Sequence, residues 1–171
     1  MEGITTQVLA ATPMQGIVFG LLSIPVCLWV AYTDLSEMKI RNEAVLALFA
    51  IFAVAGPFLM PFDVYLSRYL HLLAILMLGF GLATIGAMGA GDAKFAAAMA
   101  PFVAFGDVAE IMVLFAVLLV LTWTLHRSAR MVEPVRNLAP GWKSWAEPKA
   151  FPMGITLAST QLSYLAMAAL L

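Results

Sequence analysis

The chain has 171 residues, of which 63% are hydrophobic and 11% charged, and its formal net charge is −1. Soluble domains are nearer half apolar and about a quarter charged, so this composition excludes a water-facing surface and indicates an all-α, polytopic membrane protein. No basic stripe exists that would neutralise a run of phosphates, which argues against a nucleic-acid partner.

Six apolar segments are predicted to form one transmembrane domain over residues 1–171. In chain order they are residues 14–33, 43–61, 67–88, 93–105, 107–126 and 151–171. A helix needs about 20 apolar residues to cross a bilayer, and 93–105 reaches only about 20 Å. Because this fourth segment is short and rich in alanine, we expect it to lie buried among the other helices.

The basic residues predict the orientation of the chain. With six crossings, the loops alternate between the two sides, and eight of the nine Lys and Arg residues fall on one side, with Arg68 alone on the other. The eight are Lys39, Arg41, Lys94, Arg127, Arg130, Arg136, Lys143 and Lys149. Basic loops stay in the cytoplasm, so we expect a cytoplasmic loop at 127–150 and both termini outward.

Two aspartates stand at the cytoplasmic ends of predicted segments. Asp34 ends the first segment and Asp92 follows the third. Acids at such places are costly and mark functional sites. If the two carboxylates approach closely, they share one proton. The ionised carboxylate then activates water and the protonated one donates to a peptide carbonyl, which is aspartic-type peptide hydrolysis.

Small and charged residues around the two aspartates extend this prediction. Gly89 and Gly91 lack side chains, so backbone or a substrate strand can come close to Asp92. Lys94 either tunes the carboxylate or extends to the membrane interface. Glu37 either contacts a basic substrate or is a solvated loop charge.

Helix ends suggest a difference between the two acids. Asp34 lies at a helix C-terminus, where the helix dipole disfavours negative charge, and Asp92 opens the short fourth helix, where the dipole favours it. The pattern therefore predicts that Asp92 is the resting base and Asp34 the protonated acid. Asn42 has the pattern of an N-cap for the second helix.

The stretch GAGDAK at residues 89–94 resembles the G-x-G-D signature of membrane aspartic proteases, and its lysine resembles that of type IV prepilin peptidases. In those peptidases the first aspartate is followed by a short basic loop and Ile-Pro-Asn. Here Asp34 leads through LSEMK to Ile40-Arg41-Asn42, so Arg41 stands in place of the proline.

The resemblance implies an aspartic endopeptidase of the bacterial inner membrane that removes the basic leader from prepilin or pseudopilin precursors at the cytoplasmic face. Larger members carry a cytoplasmic domain with CxxC motifs and methylate the new N-terminus. This chain has a single cysteine, Cys27. It is similar to the short, peptidase-only form of tight-adherence (Flp-type) pilus systems. No cofactor and no metal are expected, and pilus assembly machinery is an expected partner.

Other readings stay open at the level of sequence. A small ion- or proton-coupled transporter would use the same two aspartates and would need polar residues continuing toward the outer side. A non-enzymatic assembly subunit would tolerate replacement of both aspartates. Another G-x-G-D protease would cut within the bilayer.

Overall fold

The computed structural model describes residues 9–147 and 151–171, which form helices and no strand, so the all-α prediction is confirmed. Residues 1–8, which belong to the predicted outward N-terminus, and Lys149 of the predicted loop lie outside this part. The helices are α1 (Pro13–Glu37), α2 (Asn42–Leu59), α3 (Phe62–Thr84), α4 (Ala90–Met99), α5 (Val108–Met131), α6 (Glu133–Leu138), α7 (Lys143–Ala146) and α8 (Met153–Leu170).

Five segments of the described chain are long and apolar enough to cross a membrane. They are Pro13–Glu37, Asn42–Leu59, Phe62–Thr84, Phe105–Met131 and Met153–Leu170. The fourth predicted segment is not among them. Instead α4 is followed by two single 3₁₀ turns, Ala100–Phe102 and Phe105–Asp107.

The first helix extends four residues beyond the predicted end at residue 33. Thr12 and Gln15 form a capping box at its start, which satisfies free backbone N–H groups there. The helix continues through Asp34 to Glu37 and stops at Met38, whose φ of 56° is left-handed and whose N–H donates to the Asp34 carbonyl oxygen. The apolar run ends at residue 33, but the helical backbone hydrogen bonds continue to the end of α1.

The second and third helices also differ from their predicted bounds. Arg41, and not Asn42, is the N-cap of α2, because Asn42 is already helical. The third helix begins after Pro61, five residues before the predicted start, and ends at Thr84 before Gly86, whose φ is +73°. Arg68 therefore lies inside α3, where it is buried.

The segment from Ala90 to Asp107 is a broken helix that runs the length of the bundle. Its first residues lie beside Asp34, and its last residue, Asp107, accepts hydrogen bonds from the N–H groups of Ala10 and Ala11 before α1. Nearly all the residues between 93 and 104 are buried. Irregular backbone at membrane depth is tolerated where protein surrounds it, so the predicted burial of the short fourth helix is confirmed, although the helix begins three residues earlier.

The predicted loop 127–150 is partly helical. Its first five residues belong to α5, and α6 and α7 follow. Trp142 packs edge-on against Tyr32 of α1, and Trp145 stacks on His126 of α5. These aromatic contacts fold the polar segment against the end of the bundle that carries Asp34.

The most extensive helix contact joins α1 and α8, which run antiparallel. At one end Gly154 of α8 touches Asp34 of α1. At the other end Gly16 of α1 lies against the backbone of α8, from Leu165 to Ala169. Small residues at such crossings let helix backbones approach closely.

Gly16→Ala should weaken this contact. The added Cβ would lie 2.7 Å from the Leu165 carbonyl oxygen and collide with the Ala169 backbone nitrogen. Overpacking of this kind costs about 1–3 kcal/mol, so we expect a lower thermal unfolding midpoint in detergent. Gly20→Ala is the matched control, because its Cβ would meet Leu165 Cβ at an ordinary 3.7 Å. Equal midpoints for the two variants would contradict the packing argument.

Candidate active site

Asp34 lies in the last turn of α1, with only 5% of its surface exposed. Its carboxylate Oδ2 accepts a hydrogen bond of 2.6 Å from the backbone N–H of Gly154, the second residue of α8. The last helix therefore holds the first aspartate in place.

Asp92 lies in the first turn of α4, as predicted, three residues after the N-cap Gly89. Its carboxylate turns back toward Gly89, so that a Cβ at residue 89 would lie 2.5 Å from Asp92 Oδ2. The absence of a side chain at Gly89 thus leaves room for the carboxylate. An acidic side chain that reaches back over the first turn also stabilises a helix start.

The two carboxylates line one cavity of about 280 Å³. Its other walls are Met38, Lys39 and Ile40 after α1, and Gly89, Ala90 and Gly91 at the start of α4. The structure thus brings together two acids that are 58 positions apart in the sequence (92 − 34).

Gly91 makes room for backbone within the protein. A Cβ at this position would lie 3.3 Å from Ile40 Cβ and 3.6 Å from the Ile40 nitrogen and oxygen. The loop after α1 therefore packs directly against the start of α4. This contact fixes the distance between the two chain segments that carry the carboxylates.

Burial changes the acidity of Asp92, which lies outside the five candidate membrane spans. Desolvation raises its pKa from 3.8 to about 6, and the backbone N–H of Gly89 partly opposes this rise. A carboxyl with a pKa near 6 both gains and loses a proton close to neutral pH, which suits general acid–base chemistry.

The other two predicted site residues have partners of their own. Lys94 is exposed, and its Nζ donates to Asn42 Oδ1 at 3.2 Å, which joins α4 to α2. Glu37 accepts two hydrogen bonds from Arg41 Nη2, at 2.7 and 2.9 Å. Both side chains lie at the carboxylate end of the bundle, and neither lines the cavity between the two aspartates.

The structure removes the asymmetry from which the roles of base and acid were predicted. Asp34 is at the C-terminus of α1, but its carboxylate also meets the N-terminus of α8 through Gly154. Asp92 lies at the N-terminus of α4. Each carboxylate therefore has a helix N-terminus beside it, and the dipole argument no longer distinguishes them. Sequence reasoning could not detect this, because Gly154 is 120 residues from Asp34.

A buried polar cluster at the opposite end of the bundle was also not predicted. Asp107 is 2% exposed and accepts from Tyr164 Oη at 2.7 Å as well as from Ala10 and Ala11. Arg68 is buried nearby and interacts electrostatically with Asp107 and Tyr164. The sequence placed Asp107 at this end of the fifth helix, but nothing in its neighbours indicated burial.

Comparison with known proteins bears on the two aspartates. The family model of the type IV leader peptidases matches residues 21–125, which is more than half of the chain and includes both acids. The chain belongs to the type IV leader peptidase family. No curated protein and no solved structure matches it. The matched region of this leader peptidase ends before α8, so it does not include Gly154.

Gly154→Ala should lower peptidase activity by displacing Asp34. The new Cβ would lie 2.8 Å from Asp34 Oδ2 and 3.0 Å from its Cγ, so the carboxylate must move from the cavity position that it now occupies. A misplaced catalytic group costs on the order of 10²-fold in rate, measured as the rate of precursor cleavage. Gly141→Ala is the control, since a Cβ added at that residue would meet nothing within 4 Å. Equal cleavage rates for the two variants would contradict the positioning role of Gly154.

The raised pKa of Asp92 predicts how stability depends on pH. Between pH 4 and pH 6 the unfolded carboxyl has lost its proton while the folded one keeps it, so the folded state binds more protons. Stability from this group is therefore present below pH 4 and is lost as pH rises through 6. Thermal unfolding in detergent at stepped pH should show this decline in the wild type and a shallower one in Asp92→Asn. Parallel curves would contradict the assigned burial effect.

Proposed function

We propose that this leader peptidase is an aspartic endopeptidase that removes the basic leader from type IV, Flp-type prepilins at the cytoplasmic face of the inner membrane. The observation that carries the proposal is the single cavity lined by both Asp34 and Asp92. Two carboxylates on one cavity supply both halves of an acid–base mechanism without a covalent intermediate.

The proposed reaction uses water held between the two carboxylates. The ionised carboxylate takes a proton from this water, whose oxygen attacks the carbonyl carbon of the scissile peptide. The protonated carboxylate donates its proton to the carbonyl oxygen. Collapse of the tetrahedral intermediate breaks the C–N bond. The leaving nitrogen takes the proton that the base received from water, and one hydroxyl of the intermediate returns a proton to the other carboxylate, which restores the pair. The cavity that both residues line supports coupled titration of the pair.

The charge distribution supports a cytoplasmic site. Lys39 and Lys94 lie at the carboxylate end of the bundle, and the basic residues of α6 and α7 follow the end of α5 there. Positive residues flanking spans stay on the cytoplasmic side. The described segments before α1 and after α8 then lie toward the outer side. We further propose that Glu37 attracts the basic leader, and that a lysine or arginine of the substrate replaces Arg41 as the ion-pair partner of Glu37.

Neither a cofactor nor a metal enters the proposed reaction. Among residues 9–147 and 151–171, no group of three His, Cys, Asp or Glu side chains could hold a metal ion. The single cysteine leaves no CxxC pair of the kind the larger relatives carry, which supports a peptidase without methyltransferase activity.

A transporter that uses the same aspartates is less well supported. A transporter needs a continuous path of polar side chains from the carboxylates to the far end of the bundle. Here the hydroxyls of Thr122 and Thr156 hydrogen-bond each other at 2.6 Å, and the Thr160 hydroxyl donates to the Thr156 carbonyl oxygen. These polar groups are therefore paired with one another and with the backbone. Ser23 and Gln161 are buried without hydrogen-bond partners in the described chain, but neither lines the carboxylate cavity.

Replacement of either aspartate should abolish processing. Asp34→Asn and Asp92→Asn each keep the size of the side chain and remove its acid–base function, which contributes about 10²–10⁴-fold to such reactions. The assay incubates purified enzyme with an Flp-type prepilin in liposomes and locates the cut by mass spectrometry.

Asp63→Asn is the matched control, because Asp63 is an exposed acid in the first turn of α3. It should cleave at the wild-type rate. A thermal unfolding midpoint for each variant separates loss of chemistry from loss of fold. Appreciable cleavage by a folded Asp34→Asn or Asp92→Asn enzyme would refute the acid pair and favour a non-enzymatic role.

A further inference from the structure

A second, larger cavity of about 350 Å³ opens along the side of the bundle. Its walls are α3 and α5, and its floor is formed by α4, the 3₁₀ turn that follows, and α8. Representative lining residues are Ala74, Met88, Ala96, Val103, Met112 and Leu157. We call this cavity the lateral groove. Its lining is almost entirely apolar.

The lateral groove lies next to the carboxylate cavity along the chain. Met88 lines the groove, and Gly89, the next residue, lines the carboxylate cavity. On α4, Ala96 lies one helical turn after Asp92, so both residues are on the same side of that helix. The groove continues away from this point to Phe105 and His71 near the opposite end. A rod lying in it would have one end directed at Asp92.

The chemistry of the groove fits a transmembrane helix. Its floor includes small residues, Ala96 and Ala100, that allow a helix to approach closely. Its rim includes Met112, which is 60% exposed on α5. Amphipathic and apolar helices bind such grooves through side chains spaced along one face. The adjacent carboxylate cavity favours a helix that carries a peptide bond to be cut over a lipid chain or a second copy of this protein.

We propose that the precursor carries an apolar membrane helix directly after its cleavage site and that the lateral groove receives this helix, so that the segment just before it enters the Asp34–Asp92 cavity. This inference rests on the proposed function, because it names where the same substrate docks. In this arrangement α3 and α5 hold the helix of the precursor and select the substrate. The helices α1 and α4 hold the two acids and carry out the chemistry.

Neighbouring residues on α5 give a matched test. Met112 lines the groove and Val113 does not, although the two are 60% and 64% exposed. Met112→Trp places a bulky ring at the rim of the groove, whereas Val113→Trp places the same ring outside it. Each enzyme is assayed in liposomes with two substrates: the complete precursor, and a soluble peptide that spans the cleavage site but lacks the membrane helix.

The inference predicts that Met112→Trp lowers the ratio of precursor cleavage to peptide cleavage about tenfold relative to the wild type. Val113→Trp should keep the wild-type ratio. An unchanged ratio in folded Met112→Trp would overturn the docking inference while leaving the proposed function intact. Failure of the wild type to cut either substrate would instead overturn the proposed function.

A crosslinking measurement tests docking without relying on cleavage. A photoreactive benzoyl-phenylalanine at residue 112 or 113 is introduced into the Asp92→Asn enzyme, which is then mixed with the complete precursor in liposomes. We expect a precursor adduct from position 112 and little from 113. Equal adducts from both positions, or a position-112 adduct with lipid or with a second enzyme copy only, would overturn the inference.

Discussion

A single hydrogen bond, from the Gly154 backbone N–H to the Asp34 carboxylate, joins the first and last helices of this leader peptidase at its site. Both ends of the α1–α8 contact depend on glycine, because a side chain at Gly16 or Gly154 would collide with the facing helix. The contact holds one carboxylate at the cavity that the second also lines. The geometry of the cavity therefore depends on how closely these two helices pack.

The second carboxylate depends on the broken fourth segment. A regular membrane-spanning helix in place of α4 would be longer, and Asp92 would lie at the end of a rigid apolar helix. Instead α4 is short, buried and followed by 3₁₀ turns, so its N-terminus sits against the loop after α1 through Gly91 and Ile40. Because protein and not lipid surrounds it, the irregular backbone carries little penalty. The lateral groove lies beside this buried helix.

The far end of the bundle also holds a buried aspartate that hydrogen bonds stabilise. Asp107, at the end of the broken segment, accepts hydrogen bonds from Tyr164 of α8 and from the backbone before α1. A buried acid is tolerated when hydrogen bonds satisfy its oxygens. The broken segment thus carries an aspartate near each end. Asp92 shares a cavity with Asp34 of α1, and Asp107 accepts a hydrogen bond from Tyr164 of α8.

The sequence by itself determined the class of the protein, the two aspartates and their common end of the bundle, because apolar length, charge placement and a short motif are local properties. It also predicted that the fourth segment is short and buried. Only the tertiary structure decided the rest. Helix ends such as Glu37 and Phe62 depend on backbone hydrogen bonds that continue past the apolar runs. The partners of Asp34 and Asp107 come from residues far away in the chain, so no local pattern could reveal them.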